Sequence, residues 1–160
     1  MRVLVPLLLC WLAVAPAEAA DTVLYVVRHA EKADAPKEDP ALTPGGEARA
    51  AALAHVLADV ALVGIHSTGT ARTRATAAPT ATAKKLPVQI YDAPELMLAK
   101  ARAAGGEHLV VGHSNTIGEI VKAAGGDPGS PVADSEFDRF YVVILTDDGK
   151  PATVRLRYGP

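Results

Sequence analysis

The stretch that decides the fold is Thr22–Lys32, TVLYVVRHAEK. Its first six residues are rich in β-branched side chains and apolar without alternation, the pattern of a strand covered on both faces of a sheet. The run stops at Arg28-His29. An arginine beside a histidine at such a point is either an ordinary polar strand end or one corner of a site for an anion.

Working outward, short apolar runs alternate with alanine-rich segments of helical length. ALVGIHST (61–68), VQIY (88–91) and HLVVG (108–112) predict three more strands. Thr43-Pro44 supplies a hydroxyl cap followed by proline at the first helical position, and predicts a helix through GEARAAALAHVLADV with Ala48, Ala51, Ala52, His55 and Val56 on one face. TARTRATAAPTATAKK predicts a second helix, kinked or closed at Pro79. APELMLAKARAAGG predicts a third, ended by its glycines, and NTIGEIVKAAGG a fourth. The intervening EKADAPKEDPAL reads as an exposed loop. FYVVILTDDGKPATVRLRYG reads as a hairpin turning at Asp147-Asp148-Gly149-Lys150. The expected fold is a three-layer α/β/α sandwich with a mostly parallel sheet, closed by an antiparallel C-terminal edge hairpin.

The bulk properties agree with one such domain. The chain has 160 residues and a formal charge of -2, which points away from nucleic acid and from an acidic membrane surface as partners. Hydrophobic residues make up 49% but aromatics only 4%, so the core must be built from Ala, Val, Leu and Ile. The first twenty residues, MRVLVPLLLCWLAVAPAEAA, have a basic start, an apolar stretch and a small-residue exit at Ala17-Glu18-Ala19. That order is a secretory signal peptide over residues 1–20, leaving a domain over 21–160 that begins at Ala20 or Asp21. The expected location is a bacterial periplasm or the medium, with no stable membrane insertion after cleavage. Cys10, the only cysteine, lies in the signal, so the mature chain has no thiol or disulfide chemistry.

Three strands lead into charged or imidazole side chains: Arg28-His29 after the first, Arg72 shortly after the second, and His113-Ser114-Asn115 after the fourth. In an open parallel sheet, ligands bind outside the carboxyl ends of the strands, so these residues converge although far apart in sequence. Two arginines and two histidines make a cationic pocket suited to a tetrahedral dianion, because the guanidinium fork matches phosphoryl oxygens. The first amides of the helix after Ser114 are expected to add to it. Arg74, Lys84 and Lys85 read as solvated helix charges. A metal held by His29, His113 and His66 is disfavoured by the arginines beside it, so neither metal nor cofactor is expected.

VVRHAEK resembles the R-H-G/A signature of the histidine phosphatase superfamily, the phosphoglycerate mutase-like fold, and in particular its small single-domain branch. STGTARTRATAAP is similar to the family's second block through Arg72, Thr73, Thr76 and Ala77, and LVVGHSNT to its G-H block. The resemblance implies that His29 is a nucleophile phosphorylated during turnover. It implies that Arg28, Arg72 and His113 bind the phosphoryl group, with Ser114 and Asn115 in the same turn. The chemistry is consistent: neutral imidazole is a competent nucleophile, and fixed cations stabilise the transferred group without a metal. The sequence departs from larger relatives at the proton donor, where the segment reads YDAPELMLAK. Glu95 is the nearest candidate there, with Asp92 and Glu31 as alternatives. The segment Gly125–Phe137 is the longest loop and the expected lid or pocket wall. The implied activity is an exported, metal-independent phosphatase for a small phosphorylated substrate, a phosphomonoester or phosphoramidate. A phospho-ligand binding module without turnover and a mutase are the alternatives.

Overall fold

The computed structural model describes residues 21–146 and 150–159. The expected signal peptide and the turn residues 147–149 lie outside that range. Among the described residues the order is β1 (Thr22–Arg28), α1 (Pro44–Val56), β2 (Leu62–Ser67), α2 (Ala71–Lys84), β3 (Val88–Ile90), α3 (Pro94–Ala104), β4 (Gly106–Gly112), α4 (Ile117–Ala123), β5 (Arg139–Leu145) and β6 (Ala152–Arg157). The strands form one sheet in the order β3-β2-β4-β1-β5-β6. β1 to β4 are parallel, whereas β5 runs antiparallel to β1 and β6 antiparallel to β5.

Burial on both faces explains the unbroken apolar runs. On β1, Leu24 and Val26 join Met97, Ile117 and Ile120 of α3 and α4 in one core. Val27 faces the other way, with Leu53 of α1, Ala77 of α2 and Phe140 of β5. Each such side chain removed from water contributes about 1.5–3 kcal/mol, so the two cores hold a three-layer sandwich together with few aromatics. Among the described residues no helix is long and apolar enough to cross a membrane.

Two local expectations are corrected. The buried face of α1 is Gly46, Ala50 and Leu53, continued by Leu57, while Ala48, Ala51, His55 and Val56 are exposed. Alanine on every side of this helix gives almost no hydrophobic contrast, so its orientation is set by Leu53 and Leu57 and by the close approach of Gly46 to the Glu31 backbone. Pro79 does not mark the last turn of α2, the alternative to a kink there: the helix continues to Lys84 and closes on Lys85 in the left-handed conformation.

Candidate active site

The register of the central strands builds the site. β1 and β4 are paired with Arg28 beside Gly112, and the His29 amide donates to the Gly112 carbonyl at 2.8 Å. One step further, His29 and His113 leave adjacent strands together, their ring centroids 5.4 Å apart. β2 is paired to β4 with Ser67 beside Val111, which sets Thr68 next to His113. α2 brings in Arg72 from its first turn and is tied to β1 through Thr76, whose hydroxyl accepts from the Ala30 amide at 2.9 Å and donates to the Arg72 carbonyl at 2.8 Å. A cavity of about 640 Å³ opens above these strand ends, lined among others by Arg28, His29, Arg72, His113, Ser114 and Asn115.

Hydrogen bonds fix both imidazole tautomers. His29 Nδ1 lies 2.8 Å from the Ala30 carbonyl, which only accepts, so Nδ1 carries the proton and Nε2 keeps its lone pair. Burial, then the charges of Arg28, His113 and Arg72, hold His29 down at about 4 against the opposing pull of that carbonyl. The ring is therefore neutral at pH 7. Around His113, the Thr73 hydroxyl donates to the Thr68 and Thr70 carbonyls at 2.9 and 3.0 Å, so it receives the Thr68 hydroxyl at 3.0 Å. Thr68, its proton committed, accepts from His113 Nε2 at 2.9 Å. Burial first, and then Arg72 and Arg28, lower the His113 pKa as well.

The arginines are less simple than the sequence implies. Arg28 is 5% exposed, and its Nη1 donates to the carbonyls of Ala133, Asp134 and Glu136 at 3.0, 2.8 and 3.0 Å, while its plane lies over Phe137 at 4.1 Å. It thus clamps the loop before β5 as well as lining the cavity. Arg72 pairs with Asp39 at 3.6 Å, and Asp39 also accepts from the Ala71 amide at the start of α2 at 2.8 Å. The Nε atoms of Arg28 and Arg72 are buried without a partner among the described residues. Two orphaned donors on side chains lining one cavity mark a place prepared for an anion.

The expected contribution of the fourth helix is smaller than anticipated. α4 has seven residues, and the amides of Thr116 and Ile117 turn back onto the His113 carbonyl, each at 3.0 Å. Glu95, the candidate proton donor, is exposed at the start of α3 and does not line the cavity. Asp92 is also exposed there, and Glu31 is engaged with Arg49 at 2.7 Å. The carboxylates that do line it are Asp34 and Asp134, from two loops. His66, weighed as a third imidazole, stands elsewhere: its Nε2 is 3.1 Å from His108 Nδ1 inside the sheet. Among the described residues no group of three or more His, Cys, Asp or Glu side chains is arranged to hold a metal.

Sequence reasoning missed Thr68, Asp39, Asp34, Asp134 and Phe137. Thr68 carries a signal, since it follows a predicted strand and precedes the Arg72 block. The others lie in segments without periodicity. The Gly125–Phe137 loop expected as a wall does supply Asp134 and Phe137 to the cavity.

Comparison with known proteins bears on the fold that carries this site. Residues 24–96 match the histidine phosphatase superfamily (branch 1). Among solved structures, the candidate phosphohistidine phosphatase SixA of Nakamurella multipartitia is 25% identical with a TM-score of 0.63, over 87% of this chain and 97% of that one. A protein histidine phosphatase SixA complexed with tungstate is 16% identical with a TM-score of 0.69, over 84% of this chain and 96% of the other. A phosphoglycerate mutase from Bacillus anthracis str. Sterne shares the fold at 15% identity and a TM-score of 0.65, over 86% and 93% of the two chains. No curated protein matches in sequence. Over residues 24–96 the chain thus matches the histidine phosphatase superfamily, and its α/β fold is the one shared by these phosphoglycerate mutase-like structures. The matched family model and the SixA neighbours are those of histidine-type phosphatases.

Proposed function

We propose that the protein is an exported phosphatase that hydrolyses small phosphomonoesters or phosphoramidates through a covalent phosphohistidine on His29, without a metal. The observation that carries this reading is the tautomer of His29: with Nδ1–H held by the Ala30 carbonyl, the lone pair is on Nε2, beside two arginines whose Nε donors have no partner. Nε2 attacks phosphorus and the bond to the leaving group breaks, its electron pair departing with that group, which takes up a proton. Water then attacks the phosphohistidine, the P–N bond breaks, and phosphate leaves while Nε2 recovers its lone pair. Arg28, Arg72 and His113 meet the charge on the transferred group, with Ser114 and Asn115 at the rim. Tungstate, a tetrahedral oxyanion held by one SixA neighbour, is the kind of ligand that such a pocket would take. Export rests on the order of residues 1–20.

Glu95 lies off the cavity, so the reading favours leaving groups that need little protonation, such as aryl or phosphoramidate groups. The same observation is what favours the second reading, a phosphate-binding module without turnover. One experiment separates them: mature protein and His29→Ala are given p-nitrophenyl phosphate, and the quenched wild type is examined for acid-labile phosphate. His29-dependent turnover with trapped phosphohistidine is expected. Equal rates in the two proteins would overturn the phosphatase, and tight phosphate binding without turnover would establish the binding module.

A further inference from the structure

Helix α2, which carries Arg72 in its first turn, has no capping side chain of its own. The hydroxyl of Thr70 at its N-cap makes no capping hydrogen bond and lies 2.9 Å from the Thr73 hydroxyl instead, and the first turn holds no acidic residue. The cap comes from elsewhere in the chain. Asp39, in the loop between β1 and α1, accepts from the Ala71 amide through its two carboxylate oxygens, at 2.8 and 3.1 Å. Its Oδ1 also faces Arg72 Nη1 at 3.6 Å. One carboxylate thus holds both the start of the helix and the guanidinium that the helix delivers to the cavity.

Asp39 is itself held. The two ends of its loop are laced together by the bridge between Lys32 and Leu42, by the Ala33 amide donating to the Ala41 carbonyl at 2.9 Å, and by the Thr43 amide donating to the Glu31 carbonyl at 2.9 Å. Pro40, the next residue, is buried, and a proline restricts the backbone of the residue before it to extended conformations. The carboxylate therefore has a fixed origin although its side chain is 47% exposed. Arg72, by contrast, has a long and flexible side chain that needs a partner to point it. With Nη1 turned to Asp39, its Nε stays uncommitted in a side chain that lines the cavity, whereas Asp39 is not part of that lining.

We propose that Asp39 is a positioning residue of the phosphatase described above: it does not touch the phosphoryl group, and acts by holding the Arg72 guanidinium with its Nε donor free for that group. The kinetic form of this inference rests on the phosphatase reading, and its binding form rests on the anion cavity alone. A carboxylate near an anion site also repels the anion, so the two effects have opposite signs. Holding Arg72 makes Asp39 helpful, and repulsion alone would make it harmful. An ion pair this exposed is worth a factor of up to about five, which sets the scale of the effect.

Asp39→Asn separates holding from capping, because asparagine caps helices as well as aspartate does but carries no charge for Arg72. Mature wild type, Asp39→Asn, Arg72→Ala and the double variant are compared in kcat/KM for p-nitrophenyl phosphate and, by calorimetry, in affinity for inorganic phosphate. Asp39→Asn should lower both by about three- to fivefold with Tm unchanged, whereas Asp39→Ala, which removes the cap as well, should also lower Tm by about 4 °C. In the Arg72→Ala background the same Asp39→Asn change should cost nothing or give a small gain, because only repulsion is left to remove. Equal losses in the two backgrounds overturn the proposal, as does unchanged or improved activity in Asp39→Asn alone. Absence of His29-dependent turnover overturns the phosphatase reading instead, and the phosphate affinities then decide the role of Asp39 through the same cycle.

Discussion

The chain contains two histidine pairs with nearly the same ring separation. His29 and His113 have ring centroids 5.4 Å apart, and His66 and His108 5.3 Å. Burial is the first cause of a lowered pKa at all four, and both His29 and His66 come down to about 4. The pairs differ in what their remaining polar capacity meets. His108 donates through Nε2 to the Gly105 carbonyl at 3.1 Å, and its Nδ1 accepts from His66 Nε2 at 3.1 Å, so the facing nitrogens of this pair are spent on each other and on the backbone. His29 keeps Nε2 free in a cavity with unpaired guanidinium donors. A perturbed histidine is thus a weak pointer to function; the charge and the open space around it decide.

The largest effect that can break this contrast is on turnover. His29→Ala is expected to lower phosphatase activity by a factor on the order of 10⁴ or more, because covalent catalysis has no substitute nucleophile at that point. His66→Gln, which keeps a donor for His108, should leave kcat/KM within a few-fold. Steady-state kinetics on both proteins, with thermal unfolding to show that each is folded, check the pair; similar losses in the two would erase the distinction.

Next in size are the arginines. Removing one preorganised cation from a phosphoryl site costs about 10²–10³ in kcat. Arg72→Ala should show this loss with little change in stability, its ion pair among the described residues being the one with Asp39 at 3.6 Å. Arg28→Lys should lose a similar amount and also loosen the 133–137 segment, since a point-like ammonium cannot reproduce the contacts to three carbonyls and the Phe137 face. Hydrogen exchange at residues 133–137, faster in Arg28→Lys and unchanged in Arg72→Ala, is the measurement that separates the two roles.

The same contrast shows why the sequence was readable where it was. Buried parallel strands write themselves as unbroken apolar runs, and their ends must carry whatever lies in the crevice, so Arg28, His29 and His113 stand out in TVLYVVRHAEK and HLVVGHSN. Local pattern fails where the determinant is tertiary. The orientation of α1 depends on two leucines among alanines that fit any face. Asp39 and Asp134 sit in loops without a period, and their neighbours are set by the strands those loops connect. Glu95 has the composition and the approximate position of a proton donor, yet α3 begins there and leaves it exposed.

A third expectation concerns acid stability, where the second pair should matter. His66 lies at about 4 in the fold through burial, then the proximity of His108 and Lys100, against about 6.5 when unfolded. A lowered pKa means that the charged form is disfavoured in the folded state. Its contribution is complete above about 6.5, is lost as pH falls from there toward about 4, and levels off below. The loss attributable to this one group is on the order of 2–3 kcal/mol. Urea unfolding at pH 7.5 and pH 4.5 should therefore show a smaller drop in His66→Gln than in wild type. An equal drop would mean that the sheet pair contributes nothing to acid lability and that His29 and His113 carry it.

The smallest effect is the most specific. Thr68 sits between the two regions, at the end of the strand that carries His66, and its hydroxyl accepts from His113 Nε2 while donating to Thr73. This holds one proton on His113 Nε2, so the other ring nitrogen can donate to a bound anion only when it too is protonated, as imidazolium. Thr68→Val keeps the shape and removes the acceptor, so His113 becomes free to hold its proton on either nitrogen. A single hydrogen bond of this kind is worth about 1 kcal/mol, or a factor of five to ten. That loss should appear in kcat more than in KM, with the pH-rate profile displaced, because the transition state depends on the protonation state of His113 more than the ground-state complex does. Thr68→Ser, which restores the hydroxyl, should recover most of the rate. A Thr68→Val enzyme with unchanged kcat and pH profile would show that packing alone orients His113. The two histidine pairs would then differ in their surroundings and not in how their protons are assigned.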